Sequence, residues 1–567
     1  MTEFFWEVKP RVFDDEVKQL LFNRGIIGEK TDEKLVDRFI NPNFETDFHN
    51  PELLPDFVKF KNRIKRAYDN HEKIGVFGDY DADGIPGSAF LVKALTKIGI
   101  ETFFYIPTRD EGYGLNQEGI DYLISGGCSL IITVDLGIRS IELAEYCRSK
   151  KCDLIITDHH IPGDKIPQAV AVINPKLKAS KYPFSELSGA GVVFKLIQGL
   201  KKTFPEKITD RFLKWNLDLI AISTISDVVP LINENRVIAK FGLITLQKTK
   251  NLGLEKMYEV SGIKTEKINS YTVGFQIAPR INAPGRIDSA SKSFELLLTE
   301  NEKEATELAK WLNDQNLLRQ EAMDQVETEV IEMIAKEKLD KDMIIIASGQ
   351  WPRGVIGPTA SRLVEKYRRP VILLAIEEEG LIGSSRSVGV FNMIENLEKT
   401  AKWLTKFGGH KGAAGLSLNI KNLESFEKAM IKLANTQISR EDLIPKLKID
   451  LEMESESITI SKIKRFLELE PFGLGNPKPV FLMTQLKLVE QRFVGRDSRH
   501  LKLKFQSRDH DHDCIYFNFG EKEKLENKKY YDIIFTLGVD EWNGSEKVSL
   551  SITDLKLSTN QSSHERQ

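Results

Sequence analysis

Three aspartates that alternate with other residues are the side chains of this chain best suited to chemistry. Asp79, Asp81 and Asp83 lie in the sequence Gly-Asp-Tyr-Asp-Ala-Asp-Gly, directly after the apolar residues 74–77. Three carboxylates on one short loop repel one another, so their charge is costly unless a cation lies among them. A calcium loop with this spacing would close on an acidic residue, but residues 90–92 are Phe, Leu and Val. The motif therefore predicts a metal site, with a solvated turn as the alternative.

Further candidate ligands follow later apolar runs. Asp135 comes directly after residues 130–134, and His159 and His160 come shortly after residues 154–156. Adjacent histidines beside carboxylates supply nitrogen and oxygen ligands that suit manganese and tolerate magnesium. A carboxylate between two ligand clusters can bridge two ions, an arrangement that activates water in phosphodiester hydrolysis. Asp227 follows the apolar residues 217–225 and is a further candidate, with a helix-end residue as the alternative.

A parallel sheet covered by helices must position these residues. Between about residues 74 and 225, short runs rich in Val and Ile alternate with helical patterns. The predicted strands are residues 74–77, 102–106, 130–134, 154–156 and 170–173. In open sheets of this kind the carboxyl ends of the strands form the ligand crevice. The candidate ligands therefore gather at that edge.

The rest of the chain predicts three more parts. Residues 301–338 contain no Gly or Pro and place apolar residues at three- and four-residue steps, which predicts a long amphipathic helix. A second α/β pattern follows, with strands at residues 343–347 and 371–375, and it ends at the glycine-rich residues 408–415. From about residue 450 apolar and polar residues alternate, which predicts a small β domain.

Composition limits the function classes. The 567 residues exceed what one hydrophobic core accommodates, so two to four domains are expected. No apolar run reaches the roughly 20 residues that a bilayer span requires, and the N-terminus lacks the order of a signal peptide, so we expect a cytoplasmic protein with no membrane role. The four cysteines form no metal-ligand spacing and predict reduced, buried thiols. The net charge of −3 neither supports nor excludes nucleic acid as a partner.

A series of motifs resembles a known family. The segments GDYDADG, ITDHH, SGAGVVFK and ISDVVPL, with Asp135 after a buried strand, are similar in order and spacing to the DHH phosphoesterase superfamily. Four further motifs resemble the RecJ family within it: EGYGL at 111–115, APRINAPGR at 278–286, FGGHKGAAG at 407–415 and EPFGLGNPKPVF at 470–481. The resemblance covers nearly the whole chain.

The resemblance implies an α/β fold class with a parallel-sheet DHH catalytic domain, a long connecting helix, a smaller α/β DHHA1-type domain and a C-terminal β-barrel-like OB domain. The implied segments are an N-terminal segment 1–50, the catalytic domain 51–300, the linking helix 301–340, the DHHA1-type domain 341–445, the OB-like domain 446–558 and a disordered tail 559–567.

By motif match, the resemblance also implies a metal site for two divalent cations, Mn²⁺ or Mg²⁺. Its ligands would be Asp79, Asp81, Asp83, Asp135, His159, His160 and Asp227. Of these, the catalytic residues would be Asp81, Asp83, Asp135, His159 and His160, with Asp135 as the bridge. Asp158 either orients a histidine or ligates directly.

Substrate contacts are implied in the same way. Arg109, Arg280 and Arg286 match arginines that hold a 5′ phosphate in the family, and guanidinium groups suit phosphate oxygens. In the second α/β region the candidate contacts are Ser384, Arg386, Gly409 and His410, with a pair of tight turns as the alternative. Aromatic residues of the β domain, such as Phe505 and Phe517, could stack on unpaired bases, although for most of them the core is the expected location.

The implied function is a metal-dependent exonuclease that hydrolyses single-stranded DNA from the 5′ end to mononucleotides in DNA repair and recombination. The alternatives are a DHH oligoribonuclease or cyclic-dinucleotide phosphodiesterase, and a non-catalytic replication scaffold of the Cdc45 type. The implied partners are single-stranded DNA and, by family resemblance, a single-strand-binding protein and a RecQ-type helicase. One departure concerns residues 351–354, which read Trp-Pro-Arg-Gly where relatives commonly read Trp-His-Pro-Gly.

Overall fold

The computed structural model describes most of the chain. The described residues are 4–108, 111–112, 114–287, 290–378, 380–495, 498–508, 510–520, 525–542 and 545–558, without the side chains of 286, 287, 541 and 542. The tail 559–567, predicted to be disordered, lies outside them.

Eighteen strands in the described residues define the domains. In chain order they are β1 (Phe5–Val8), β2 (Lys73–Gly78), β3 (Thr102–Tyr105), β4 (Cys128–Val134), β5 (Asp153–Thr157), β6 (Ala171–Ile173), β7 (Ile345–Gly349), β8 (Val371–Glu377), β9 (Gly380–Arg386), β10 (Lys406–His410), β11 (Ala413–Leu418), β12 (Lys446–Ile449), β13 (Leu451–Glu452), β14 (Phe481–Val494), β15 (His500–Ser507), β16 (His510–Tyr516), β17 (Tyr530–Trp542) and β18 (Ser545–Leu557).

The α-helices occupy the segments between these strands. They are α1 (Glu16–Asn23), α2 (Glu33–Ile40), α3 (Phe57–Asp69), α4 (Gly84–Ile98), α5 (Gln117–Ser125), α6 (Ile141–Ser149), α7 (Gly189–Leu200), α8 (Asp210–Trp215), α9 (Leu217–Ser226), α10 (Asn233–Leu246), α11 (Leu252–Ser261), α12 (Ser270–Thr272), α13 (Ala278–Asn282), α14 (Pro284–Ile287), α15 (Ser291–Leu298), α16 (Glu302–Glu337), α17 (Arg353–Tyr367), α18 (Met393–Lys399), α19 (Leu423–Gln437) and α20 (Ile460–Leu467). A π-helical turn, Val273–Ile277, joins α12 to α13.

The first large sheet is the predicted parallel sheet. Its strand order is β3-β2-β4-β5-β6, and every pairing in it is parallel. Successive residues of the central strands face two different cores. Val76 and Ile132 lie in the core with residues of α4 and α7, whereas Phe77 and Ile131 lie in the core with residues of α5 and α6. Burial on both faces explains why these strands read as continuous apolar runs in the sequence.

The long helix α16 connects two cores. Its 36 residues extend roughly 54 Å at 1.5 Å per residue. The Asn301 side chain caps its N-terminus by accepting from the N–H groups of Lys303 and Glu304. Residues of its first half, such as Leu312, pack in the core of the first sheet, whereas residues of its second half, such as Val330, pack with α17 and the second sheet. The helix therefore contributes to both cores and connects them, as predicted from its sequence.

The second sheet has the order β10-β11-β9-β8-β7, in which only β7 and β8 are parallel. Ser384 and Arg386 lie in β9, and Gly409 and His410 lie in β10. The alternative of tight turns at these candidate contacts is therefore wrong. These residues are held in strands by pairing with their neighbours. β9 pairs with a strand on each side, and β10 pairs with β11.

The C-terminal strands form a closed barrel, as predicted. β14, β15, β16, β18 and β17 follow one another, and β14 also pairs with β17 to close the ring. Phe505 is fully buried in the barrel core, whereas Phe517 is exposed. The N-terminal segment packs here too, because helices α1 and α2 contribute Leu20 and Phe39 to the same core. None of the helices in the described part of the chain combines the length and apolar character needed to cross a membrane.

Arg236 of α10 ties these parts together. Its side chain is 2% exposed, and its guanidinium donates to the carbonyls of Phe39, Leu469 at 3.0 Å and Glu470 at 3.1 Å. These carbonyls belong to the N-terminal helices and to the segment after α20. A single buried guanidinium thus fixes the domain of the first sheet against the N-terminal and C-terminal parts. Burial lowers the pKa of Arg236 to about 9.

We expect Arg236→Met to lower the free energy of unfolding by about 2 to 4 kcal/mol, because three buried carbonyls lose a charge-assisted donor. Urea denaturation followed by circular dichroism measures the change. Arg211→Met, at an exposed position of α8, is the control and should change stability by no more than about 0.5 kcal/mol. Equal stabilities of the two variants would contradict the anchoring role of Arg236.

Candidate metal centre

The loop after β2 presents three carboxylates in a conformation fixed by backbone donors. The N–H groups of Asp83 and Gly84 donate to Asp81 Oδ1 at 2.8 and 3.1 Å, where α4 begins. The N–H of Ala82 donates to Asn282 Oδ1 at 2.7 Å, so the motif around Asn282 supports the loop from outside the sheet. The loop is therefore held in one shape by its own helix and by α13.

Asp83 is oriented by the N-terminus of another helix. The N–H groups of Gly189 and Ala190, the first residues of α7, donate to its two carboxylate oxygens at 2.7 and 2.9 Å. The hydroxyl of Ser223 donates to Oδ1 at 2.6 Å. A helix N-terminus is a favourable neighbour for a carboxylate, so the start of α7 holds the Asp83 side chain in this position.

Asp135 occupies a crowded position at the end of β4. Its backbone has φ +67°, in the left-handed region that aspartate tolerates better than most residues. A Cβ placed on Gly189 would lie 2.6 Å from the Asp135 Cβ and 2.7 Å from its Oδ1. Only glycine at position 189 leaves room for this carboxylate, which explains the small residues of the SGAGVVFK motif.

Asp158 supports the two histidines rather than joining the carboxylate cluster. Its Oδ1 accepts from the N–H groups of His159 and His160 at 2.7 and 3.0 Å and contacts His160 Nδ1 at 2.8 Å. Its Oδ2 accepts from the N–H of Ile138 at 2.9 Å. With Nδ1 of the neutral imidazole donating to Asp158, the lone pair of His160 resides on Nε2, where it can ligate a metal. Among the two roles left open for Asp158, the geometry favours orientation of His160.

The side chains predicted as ligands meet at this edge of the sheet. They form three groups of three residues, and within each group the ligand atoms all lie within 4.8 Å of one another. They are Asp135, His159 and His160; Asp83, His159 and Asp227; and Asp79, Asp81 and Asp135. Asp135 and His159 each belong to two groups and so link the whole set.

His159 shows that these atoms surround a space suited to a cation. Its Nε2 is buried and makes no hydrogen bond with any residue that the structure describes. Three carboxylate oxygens nevertheless lie close to this nitrogen: Asp135 Oδ1 at 3.1 Å, Asp83 Oδ2 at 3.4 Å and Asp227 Oδ2 at 3.6 Å. Asp79 Oδ1 is likewise buried with no hydrogen-bond donor among the described residues. Buried atoms of this kind without partners are costly, and bound divalent cations would take them as ligands.

The charge of the cluster shifts its titration. Burial, followed by the charge of Asp81, raises the pKa of Asp79 well above its ordinary value. Burial and the charges of Asp83 and Asp81 likewise raise the pKa of Asp135, and they raise the pKa of Asp227 to about 8. Burial lowers the pKa of His159, which keeps this imidazole neutral. Neutral imidazole is the form that binds metal.

Family models match three segments of the chain. The DHH family N-terminal domain matches residues 73–224, the DHHA1 domain matches 340–436 and the RecJ OB domain matches 449–554. The single-stranded-DNA-specific exonuclease RecJ of Haemophilus influenzae is 31% identical over 89% of this chain and 91% of its own. This chain belongs to the RecJ family.

Two further relatives of the RecJ family extend the comparison. The Bacillus subtilis protein named single-stranded-DNA-specific exonuclease RecJ is 38% identical over 91% of this chain, which spans 65% of the length of that relative. The crystal structure of Thermus thermophilus RecJ in complex with Mn²⁺ matches with a TM-score of 0.81 at 26% identity, covering 97% of this chain and 79% of that one. The architecture of the family thus extends over nearly all of this chain.

Of the three arginines expected at the site, the structure describes the side chain of Arg280. Arg109 and the side chain of Arg286 lie outside the described residues. Arg280 is half-buried in α13, where its Nη1 donates to the Gln276 carbonyl at 2.6 Å and its Nε to Asn313 Oδ1 at 3.1 Å. Asn282, two residues further along the same helix, accepts from the N–H of Ala82 in the loop after β2, so α13 contributes both residues.

Arg319 of α16 is a candidate that the sequence analysis missed. Burial, followed by the charges of Arg362 and Arg280, lowers its pKa. Its Nη2 donates to Asn316 Oδ1 at 2.9 Å, whereas its buried Nε meets no described acceptor. Arg319 lies outside the motifs that resemble the family, and only the packing of α16 against α13 brings the two arginines together.

Three of the candidate contacts of the second sheet share one face. Ala413 of β11 pairs with both His410 and Arg386, and in paired strands such residues direct their side chains to the same side. Ser384, two residues from Arg386, lies on this side too. Arg386 Nη1 donates to Ser384 Oγ at 3.2 Å, and the nearby α17 leaves room for both side chains at Gly357. This face therefore forms a polar surface of the second sheet.

We predict that Mn²⁺ binding releases protons at neutral pH and strengthens as the pH rises through about 8. The reason is that Asp227, with a pKa of about 8, and its more deeply buried neighbours hold protons in the metal-free protein and must lose them to ligate. Isothermal titration calorimetry in buffers of different ionisation enthalpy measures the released protons. An affinity independent of pH between about 6 and 9 would show that these carboxyl groups are already ionised without metal.

Proposed function

We propose that this protein is a metal-dependent exonuclease that hydrolyses single-stranded DNA from its 5′ end to mononucleotides. One observation carries the proposal: five carboxylates and two imidazoles converge at the carboxyl edge of the parallel sheet and are linked through Asp135 and His159. The relatives named single-stranded-DNA-specific exonuclease match along both lobes and the barrel, which supports the same substrate here.

The grouping of the ligands supports two cations. The set of Asp79, Asp81 and Asp135 shares no member with the set of Asp83, His159 and Asp227. His159 Nε2 lies 3.1 Å from Asp135 Oδ1, so Asp135 stands between the sets and suits a bridging position. When bound, a pair of divalent cations supplies Lewis acidity for water and neutralises charge on the attacked phosphate.

The residues of the chain hold this arrangement ready. Asp83 is fixed by the α7 N-terminus, Asp81 by the α4 N-terminus and His160 by Asp158, so none must reorganise to receive a cation. Because Asp81 and Asp83 are oriented by donors from different helices, these two carboxylates stay close despite their repulsion. This preorganisation is what hydrolysis of a phosphodiester requires.

Selection of the DNA end is assigned to the arginines. Arg280 bonds to Asn313 and Arg319 bonds to Asn316, which lie three residues apart on one face of α16, so the two arginines reach neighbouring positions of that helix. Guanidinium groups bind phosphate oxygens through paired donors. Binding of a terminal 5′ phosphate by these arginines would favour cleavage from that end.

Two other proposals from the sequence carry less support. A scaffold without catalysis would not need the seven ligands, all of which are present and belong to the three overlapping sets. An enzyme of short oligoribonucleotides would not need the C-terminal barrel that matches the RecJ OB domain. The single-strand-binding protein and the RecQ-type helicase stay predictions.

We expect Asp135→Asn to lower the cleavage rate at least about 100-fold, more than the loss of a group that only supports a ligand. The substitution keeps the shape of the side chain but removes the charge shared by two ligand sets. The assay incubates 5′- and 3′-labelled single-stranded DNA and RNA with the protein and Mn²⁺ and follows the length of the products.

Asp164→Asn, at an exposed loop position of the same domain, is the control and should cleave as the unchanged protein does. Mononucleotides that appear first from the 5′ label support the proposed polarity. Full activity of Asp135→Asn, or preference for RNA, would refute the proposed function.

We predict that Arg280→Ala lowers cleavage of 5′-phosphorylated DNA about 10- to 100-fold, since a charge-assisted contact to the phosphate is lost. DNA with a 5′ hydroxyl should show a much smaller change. Steady-state rates on the two substrates measure the difference, with Arg211→Ala as the surface control. Equal losses on both substrates would remove Arg280 from recognition of the end.

A further inference from the structure

A loop of the C-terminal domain contacts the chain segment that follows Asp227. The loop comprises residues 469–477 between α20 and β14 and contains most of the EPFGLGNPKPVF motif. The backbone N–H of Leu231 donates to the carbonyl of Leu474 at 2.7 Å. The candidate ligand Asp227 thus lies four residues before Leu231, which hydrogen-bonds to the C-terminal domain.

The approach of the two segments is close enough to restrict the side chains of the loop. Gly475 has φ +76°, and a Cβ added to it would lie 3.2 Å from Pro230 Cβ and 3.3 Å from Ile232 Cγ2. A Cβ added to Gly473 would lie 2.7 Å from Leu231 Cδ1. The loop therefore packs directly on residues 230–232.

Hydrogen bonds within the loop fix its conformation. Asn476 is fully buried and its Nδ2 donates to the carbonyls of Leu469 at 2.7 Å and Pro471 at 3.0 Å. The backbones of Gly473 and Asn476 exchange hydrogen bonds at 2.9 and 3.1 Å. Arg236 holds the start of the loop by donating to the carbonyls of Leu469 and Glu470. These bonds keep the loop in one conformation against the catalytic domain.

The segment that the loop contacts is strained beside the candidate ligand. Asp227 follows the last residue of α9, where its N–H donates to the Ser223 carbonyl at 2.9 Å. The next residue, Val228, has φ +56°, a conformation that is costly for a β-branched side chain. Such a conformation persists only when neighbouring residues hold it in place. Residues 229–232, which directly follow Val228, are among those neighbours.

We infer that the loop of residues 469–477, named here the C-terminal clamp, positions Asp227 for cation binding. The inference rests on the proposed function in taking Asp227 as a ligand. The clamp acts through Leu231 and Pro230 and does not touch the cation, so its residues are positioning residues. The C-terminal domain then contributes to retention of the metal as well as to any contact with DNA.

Gly475→Ala in the full-length protein tests the clamp. The added Cβ would push against Pro230 and Ile232, so we expect the dissociation constant for Mn²⁺ to rise about 10-fold, as for other groups that support ligands. Isothermal titration calorimetry of Mn²⁺ alone, without DNA, measures this constant independently of activity.

Gly520→Ala is the matched control in the same domain. Gly520 has φ +71°, so alanine meets the same backbone strain there, but its Cβ would meet no described atom within 4 Å. We expect its Mn²⁺ affinity to stay within about twofold of the unchanged protein. Equal weakening by both variants would mean that strain in the domain, and not the clamp, is responsible; unchanged binding in both would overturn the inference as well.

Gly473→Ala keeps the test decisive if Gly475→Ala does not fold. Its Cβ meets the Leu231 side chain without left-handed strain, and it should weaken Mn²⁺ binding in the same direction. For either variant, saturating Mn²⁺ should restore kcat on short single-stranded DNA while KM stays unchanged. If the unchanged protein binds Mn²⁺ but cleaves no DNA, the proposed function fails, whereas the comparison of Mn²⁺ affinities still decides the role of the clamp.

Discussion

Repulsion among carboxylates is the constraint on which the rest of this structure depends. Asp79, Asp81, Asp83 and Asp135 lie at one edge of a sheet, largely out of water, where each raises the cost of charge on the others. Neither burial nor proximity would be tolerated without compensation. The fold supplies part of that compensation from backbone donors, and bound divalent cations would supply the rest.

The compensating donors come from elements far apart in the sequence. The N-terminus of α7 serves Asp83, the N-terminus of α4 serves Asp81, and Asn282 serves the backbone between them. Glycine at position 189 is required because Asp135 lies against the start of α7. The helices on the sheet therefore have a second role besides covering the apolar strands, since the first residues of α4 and α7 orient Asp81 and Asp83.

The outer parts of the molecule act on the same centre. The helix α16 brings Arg319 beside Arg280, and the buried guanidinium of Arg236 fixes the N-terminal helices and the loop after α20 to the catalytic domain. The C-terminal clamp rests on the residues after Asp227. The sequence presents the barrel as a separate part for binding DNA. In the structure, the loop that precedes β14 of the barrel contacts the segment that follows Asp227.

Local pattern was enough to predict the strands of the catalytic domain, their polar ends and the candidate ligands. Continuous Val- and Ile-rich runs favour strands buried on both faces, and acidic residues at their carboxyl ends meet at one edge, so Asp79, Asp135 and His159 could be placed from the sequence. Other features exist only in the folded chain. They are the orienting role of Asp158, the strands that contain Arg386 and His410, the pairing of Arg280 with Arg319, and the contact of Leu474 with Leu231. Local sequence has no signal for them, because each arises from packing of side chains and loops whose neighbours are set only when distant segments come together.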